Sequence, residues 1–502
     1  MAEQFNVLND NWIPVLYQSG ISSEVGIRKL INDAPEIEMI RDDYALEKIA
    51  IIRLLTAFLS DAYHLQNRSE RFALLKSGKF DEKVIEEYIS RCISEHGASF
   101  ELFDDSRPFM TSKYDSTLDG EPVSVAEFCP KRASGNNTVH FDHHYEDESP
   151  ALTYAEAIRA ILSEYLFCFG NRFYSSSVNN TPPIYYAPAG GNLFQQLVMC
   201  MRSEKELGNI SLDEYPAAWN SDHKILHCDQ QGENVAGVSF LSAMTLQTRR
   251  IVLIPENGMI SKCYFSAGLN FQGNDLWKDP FVAYFKKKDG SFGSVKPTEN
   301  RALWRSISNI TAENESGNIQ PRVLRPLFDE KTENVYSIGV VLENGAYKSE
   351  DHDYISIPYQ LMTNEYLSAY AQKAMAIAEN LCSVIPVAKT EKGWKGAFTN
   401  NHALADDIQN YFLVCVRKEM LGQFFTEIAG ADLESFDWEN KLDQHLRETL
   451  VKCINRTSDY AINLAHDWKQ VRSMQDDISR YRGMSFKTLS KALPKEKNDG
   501  GN

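Results

Sequence analysis

Nothing in the 502-residue sequence spells out a reaction. Lys76-Ser77-Gly78-Lys79 lacks the glycine spacing with which a P-loop wraps phosphate. No Gly-x-Ser-x-Gly places a nucleophile on a strand-to-helix elbow. The 9 cysteines are odd in number, scattered, and never spaced Cys-x-x-Cys. That argues against a disulfide framework and a zinc knuckle, and for reduced thiols in a cytoplasmic setting. No run of about 18 uncharged apolar residues reads as a membrane span. Met-Ala-Glu-Gln-Phe-Asn puts no basic stretch ahead of an apolar one, so no secretory signal is expected. Positive charge is scarce as well. Lys and Arg total 52 against 69 Asp and Glu, a formal net charge of −17. A protein that grips nucleic acid alone shows a basic footprint, so this chain either avoids nucleic acid or meets it locally, with basic partners supplying most of the grip.

What is present suits a large folded protein. Apolar residues make up 43% of the chain, and its length exceeds one ordinary core, so two or more domains are expected. The fold class reads as α+β: a mixed domain with long loops over residues 1–357, a four-helix bundle over 358–494, and a solvated tail over 495–502. In the first part, apolar residues at three-four spacing predict helices from Leu46 to Ala62 and from Thr153 to Phe167. Strands are expected over Arg250–Pro255, Val282–Phe285 and Tyr336–Leu342. Asp289-Gly290 and Asn344-Gly345 signal hairpin turns. After Pro358 strand signals stop, and helices are expected at about 363–384, 402–428, 435–466 and 467–492. In the third, Trp438, Leu442, Leu446, Leu450 and Cys453 form one stripe. A local basic patch stands out: Lys278, Lys286, Lys287, Lys288, Lys296, Arg301 and Arg305 outnumber Asp279, Asp289 and Glu299. The other chemistry-bearing cluster is His140, His143 and His144 with Glu146, Asp147 and Glu148. It reads as a polar loop or as the metal centre of an enzyme of unrecognised type.

The first segment of note is Asn6-Val7-Leu8-Asn9-Asp10-Asn11-Trp12-Ile13-Pro14-Val15. Pro14 keeps the residue before it extended, so a short strand entered from a tight turn is expected. The wording of this segment resembles the CasA family, the large subunit of Cascade, the type I-E CRISPR surveillance complex. Further similarities follow in the family's order: Arg41-Asp42-Asp43, Phe103 to Met110, Ser134 to His143, Thr181-Pro182-Pro183, Leu246 to Pro255, Leu276 to Pro280, and Arg301 to Arg305.

The resemblance implies a non-catalytic subunit without cofactor or metal. It would recognise the protospacer-adjacent motif (PAM) in double-stranded target DNA, aid duplex opening and help recruit a helicase-nuclease. Its partners would be the other Cascade subunits and the guide RNA. Phe141, Asp142 and His143 carry over to the tip of a loop that reaches the guide RNA's 5′ end; by its residues alone Phe141 reads equally as core. The family's glycine loop falls on Gly170, Asn171 and Arg172, with Asn and Arg replacing glycines; an ordinary helix end is the alternative. The lysine finger has no lysine at its expected place, and Lys262 is the nearest. The duplex-splitting wedge corresponds to Glu343, Asn344 and Gly345, which a plain surface turn would also explain. Lys286, Lys287 and Lys288 correspond to a lysine pair that contacts the DNA backbone; a solvated turn is the competing reading. A protein-only scaffold is the remaining alternative to the function as a whole.

Overall fold

The computed structural model describes residues 3–494 apart from 42, 44, 130–150, 170–181, 209, 222–232, 236, 271–276, 300, 312–316, 325–331, 344–345 and 392. The chain divides into two compact units. One comprises Met1–Leu303, Asn318–Phe328 and Asn334–Tyr354; the other comprises Trp304–Gly317, Asp329–Glu333 and Ile355–Asn502.

The first unit begins as its opening segment requires. Asn6 accepts backbone bonds from Asn9 and Asp10, closing a tight turn. Trp12 is buried and its Nε1 donates to the Val7 carbonyl at 2.9 Å. The strand Ile13–Tyr17 then takes the centre of an antiparallel sheet between Ser22–Val25 and Ile37–Ile40. Helix Ala45–Tyr63 runs through the core, packed against helices Tyr154–Phe167 and Glu82–His96. Three-four spacing predicts one apolar face, but Ile51, Ile52, Leu55, Phe58 and Leu59 on the other sides are buried too, as in a helix enclosed all round. Gly78, in the would-be phosphate motif, ends helix Arg68–Ser77 at a φ of 76°. Strands Arg249–Glu256 and Met259–Ala267 form a long hairpin whose two turn residues, Asn257 and Gly258, both take positive φ, as a type I′ turn demands.

The expected strand Val282–Phe285 starts two residues later and ends one later. The ladder runs Tyr284–Lys286 against Phe292–Ser294, while Val282 makes a single bridge to Tyr185. The strand expected over Tyr336–Leu342 is longer, Thr332–Glu343, and lies between Tyr185–Pro188 and Ala346–Pro358.

The second unit carries the expected helices Glu365–Cys382, Trp438–Asn463 and Trp468–Ala492. The remaining one is built from Ala405–Glu419 and Phe425–Ala429, joined by a π-helical turn at Met420–Phe424. Leu442, Leu446, Leu450 and Cys453 are buried along one stripe, which continues through Ile454 and Ala461. Two features depart from the sequence reading. A small hairpin, Ala388–Thr390 with Gly393–Lys395, shows that strands do not stop at Pro358. Residues 304–311 pack with the helices: Arg305 makes a two-pronged ion pair with Glu379, and Gln372 donates to Thr311 Oγ1 at 3.1 Å. Among the described residues no helix is long and apolar enough to cross a membrane.

Candidate nucleic-acid interface

The lysine-bearing hairpin is fixed at its root by buried charge. Arg53, inside the core helix, meets Asp279 at 2.8 Å, both nearly without solvent contact. Asp279 also accepts the Phe281 amide at 3.0 Å, and the Asp279 amide donates to Tyr284 Oη at 2.9 Å. The Arg53 guanidinium lies 5.3 Å from the Tyr185 ring centre and 5.0 Å from that of Phe281, within cation–π range. Tyr284 exchanges both backbone bonds with Ile319 on the hairpin's outer edge.

From this root the chain projects outward. Phe285, Lys286, Lys287 and Lys288 are all exposed. Lys287 and Ser291 close the loop, and Gly290 takes a φ of 85° at the position where a three-residue hairpin loop needs a left-handed residue. Asp289, the one acid in the turn, is occupied by it. Its Oδ1 accepts the Ser291 hydroxyl at 2.7 Å and the Ser291 amide at 3.0 Å, and these bonds hold its pKa below the ordinary value. Among the described residues no salt bridge engages the three lysines, so their charge faces solvent.

The strand Tyr185–Pro188 ties this hairpin to the candidate wedge. On one side the Tyr186 amide donates to the Phe281 carbonyl and the neighbouring Ile184 amide to that of Val295, each at 2.8 Å. On the other side the strand pairs antiparallel with Val335–Ile338, the first arm of the wedge hairpin. The segment leaving the lysine hairpin packs on the same arms. Gly339 leaves room for Pro297, whose Cβ would lie 2.8 Å from any side chain there. Lys348, on the second arm, bridges Glu299 at 3.0 Å and Glu343 at 3.1 Å. Both hydrogen-bonded carboxylates raise the Lys348 pKa. Glu343 therefore sits beside a cation, a compensation that its sequence neighbours do not reveal.

The described root of the glycine loop reaches the same place. Helix Tyr154–Phe167 starts at a Thr153–Glu156 capping box and ends with Cys168 at a φ of 50°. Wholly buried Glu164 accepts the Phe169 amide at 3.0 Å and pairs with Arg249 at 2.9 Å. Burial pushes its carboxyl up to about 8, against the pull of Arg249. Phe167 meets Tyr185 edge-on, centroids 5.5 Å apart, and Phe169 meets Tyr347 of the wedge hairpin at 6.1 Å. Three segments far apart in sequence thus converge around one short strand.

Other expected residues are not joined to this group. Lys262 is exposed, but it lies in the sheet of Met259–Ala267, paired with Ile254 and Ser124. Gly170, Asn171, Arg172, Asn344, Gly345, Phe141, Asp142 and His143, and the His140–Glu148 cluster, lie outside the described residues. Among the described residues one group has metal-ligand composition: His64, Glu204 and Asp213. There His64 Nδ1 faces Asp213 at 3.7 Å and Nε2 faces Glu204 at 4.0 Å. Both distances exceed hydrogen-bond range. Missing from the sequence reading were Arg53, Lys348, Glu164 and Arg249. The one available signal was a pair of charged residues, Arg249-Arg250, opening an otherwise apolar strand.

Comparison with known proteins agrees with this architecture. The model of the CRISPR-associated protein Cse1 family matches residues 6–451. The CRISPR-associated protein CasA/Cse1 of Thermus thermophilus is 27% identical over 313 residues, covering 61% of this chain. That match spans about 60% of the relative's length. The crystal structure of Cse1 from Acidimicrobium ferrooxidans superposes with a TM-score of 0.74 at 16% identity, covering 98% of this chain and 99% of that one. A chain of a CRISPR RNA-guided surveillance complex gives 0.66 at 15% identity, covering 96% and 99%. At such identities the likeness speaks for the fold.

Proposed function

This chain belongs to the CRISPR-associated Cse1 (CasA) family, and from that premise we propose that it is the non-catalytic large subunit of a type I-E CRISPR RNA-guided surveillance complex in the cytoplasm. It would read the PAM in double-stranded target DNA, aid duplex opening and help recruit the helicase-nuclease. The observation that carries this reading is the convergence on Tyr185–Pro188 of the lysine hairpin, the wedge hairpin and the root of the glycine loop. A surface that tests a short motif and parts the duplex needs a charge that holds the backbone next to elements that enter the groove. Guide pairing reads the rest of the sequence, a division of labour known in another effector class. The anionic chain is then no obstacle, because partner subunits and the assembly's channel supply most of the positive field. Lys286, Lys287 and Lys288 contribute locally.

The test uses the chain assembled with its guide-RNA complex, against duplexes with and without the PAM. Replacing Lys286, Lys287 and Lys288 together with Ala should weaken target binding. Each lost phosphate contact lowers the slope of log affinity against log salt by about 0.9, so the slope should flatten by about 3. An unchanged slope would remove the hairpin from the interface. Failure to copurify with a guide-RNA complex, or equal targeting by an assembly lacking the chain, would remove the function itself.

A further inference from the structure

The lysine hairpin carries a feature that phosphate contact does not use. Strand alternation places Tyr284, Lys286 and Phe292 on one face and Phe285, Lys287 and Gly293 on the other. The first face is covered at its inner end: Tyr284 is buried, and the Lys278 ammonium stands 5.4 Å from its ring centre and 5.3 Å from that of Phe292. The second face is open. Phe285 is 42% exposed. It is directly opposite Gly293, and a Cβ there would lie 2.7 Å from Phe285 Cζ and 3.0 Å from Lys287 Cε. The ring therefore lies across the glycine backbone with the Lys287 stem beside it. The glycine backbone supports part of the ring and solvent meets the rest. The anchors at Asp279 and Ile319 hold this platform rigid from below.

We propose that Phe285 is a stacking platform for an unpaired nucleobase, so that this hairpin holds single-stranded nucleic acid, with Lys286, Lys287 and Lys288 on the adjoining phosphates. This deepens the function proposed above and rests on its placing of the hairpin at DNA. An exposed aromatic ring flanked by lysines is the combination with which proteins hold single strands irrespective of sequence. A paired base inside a duplex offers no free face. The ligand is therefore the strand released when the duplex opens.

The experiment uses the full-length chain at low salt with two probes of equal length: oligothymidylate, and the same phosphodiester backbone without bases. The wild type should prefer the first. F285A should lose that preference, with about 5- to 150-fold weaker oligothymidylate binding, the range that one base–aromatic stack supplies. Its affinity for the baseless probe and its salt slope should stay unchanged. F285W should retain the preference, and its added fluorescence should be quenched by oligothymidylate and not by the baseless probe. F285L, which keeps apolar cover on Gly293, should bind like F285A if stacking is the role. If F285L binds like wild type, or F285W is not quenched, Phe285 merely covers a glycine and the proposal fails. The lysine triple variant separates the two readings: it should weaken both probes. If it weakens neither, the hairpin does not meet nucleic acid, and the interface reading falls along with the stacking one.

Discussion

Removing one partner of the Arg53–Asp279 pair tests how the lysine hairpin is held. Asp279 is 1% exposed and Arg53 3% exposed, and they meet at 2.8 Å. Replacing Asp279 with Ala leaves a guanidinium in the core beside two aromatic rings, without the carboxylate that compensates it. It also strips the Phe281 amide of its 3.0 Å acceptor. Breaking a buried pair from one side costs about 3–5 kcal/mol, whereas replacing both partners with apolar groups of similar size is often neutral or stabilising. D279A should therefore unfold the N-terminal unit well before wild type, and R53M/D279L should recover most of the loss. With a loss of about 3–5 kcal/mol and roughly 2–4 °C per kcal/mol in a large domain, the D279A transition should fall by about 6–20 °C. Thermal unfolding of wild type, D279A, R53M and the double variant gives the coupling between the two sites. Amide hydrogen exchange over Phe281–Tyr284 reads the same event locally and should speed up in D279A. If D279A is as stable as the double variant, the pair does not hold the hairpin root, and the reasoning from burial is wrong.

Two further outcomes follow from charge placement. Burial holds the Glu164 carboxyl protonated up to about pH 8, while in the unfolded chain it ionises near its ordinary value of 4.5. Between these pH values the folded state binds the extra proton, so wild-type stability relative to E164Q should fall as pH rises from about 4.5 to 8; a flat or rising difference in pH-dependent denaturation would refute it. Lys348 compensates Glu343 and Glu299, so K348A should weaken target-DNA binding by the assembled complex on the order of five-fold, as one unit charge near a phosphate in water implies. K348A/E343Q should recover part of it in the same binding assay, and no recovery would place Glu343 away from DNA.

Much of the fold is written in local pattern. The bundle stripe Leu442–Leu446–Leu450 and the turn at Asp289-Gly290 depend on neighbours three, four or two residues away, and both are legible from the chain. The small hairpin at Ala388–Lys395 is not, because three residues per strand give no alternation to read. The full enclosure of helix Ala45–Tyr63 escapes notice because its three-four stripe is genuine, and only tertiary packing covers the remaining sides. At the candidate interface, exposed lysines announce themselves. Their supports do not: Arg53 lies 226 positions from Asp279, and no spacing rule joins them. Lys348 and Glu299 meet only because separate segments fold against one another.

The strand Tyr185–Pro188 bonds to the bases of two hairpins. Its architecture is that of a tool holder: one short strand sets where each implement emerges. Substitutions at the exposed Lys286, Lys287 or Lys288 can accumulate without disturbing the mount, so divergence in surface charge need not be matched by divergence in how the body is built.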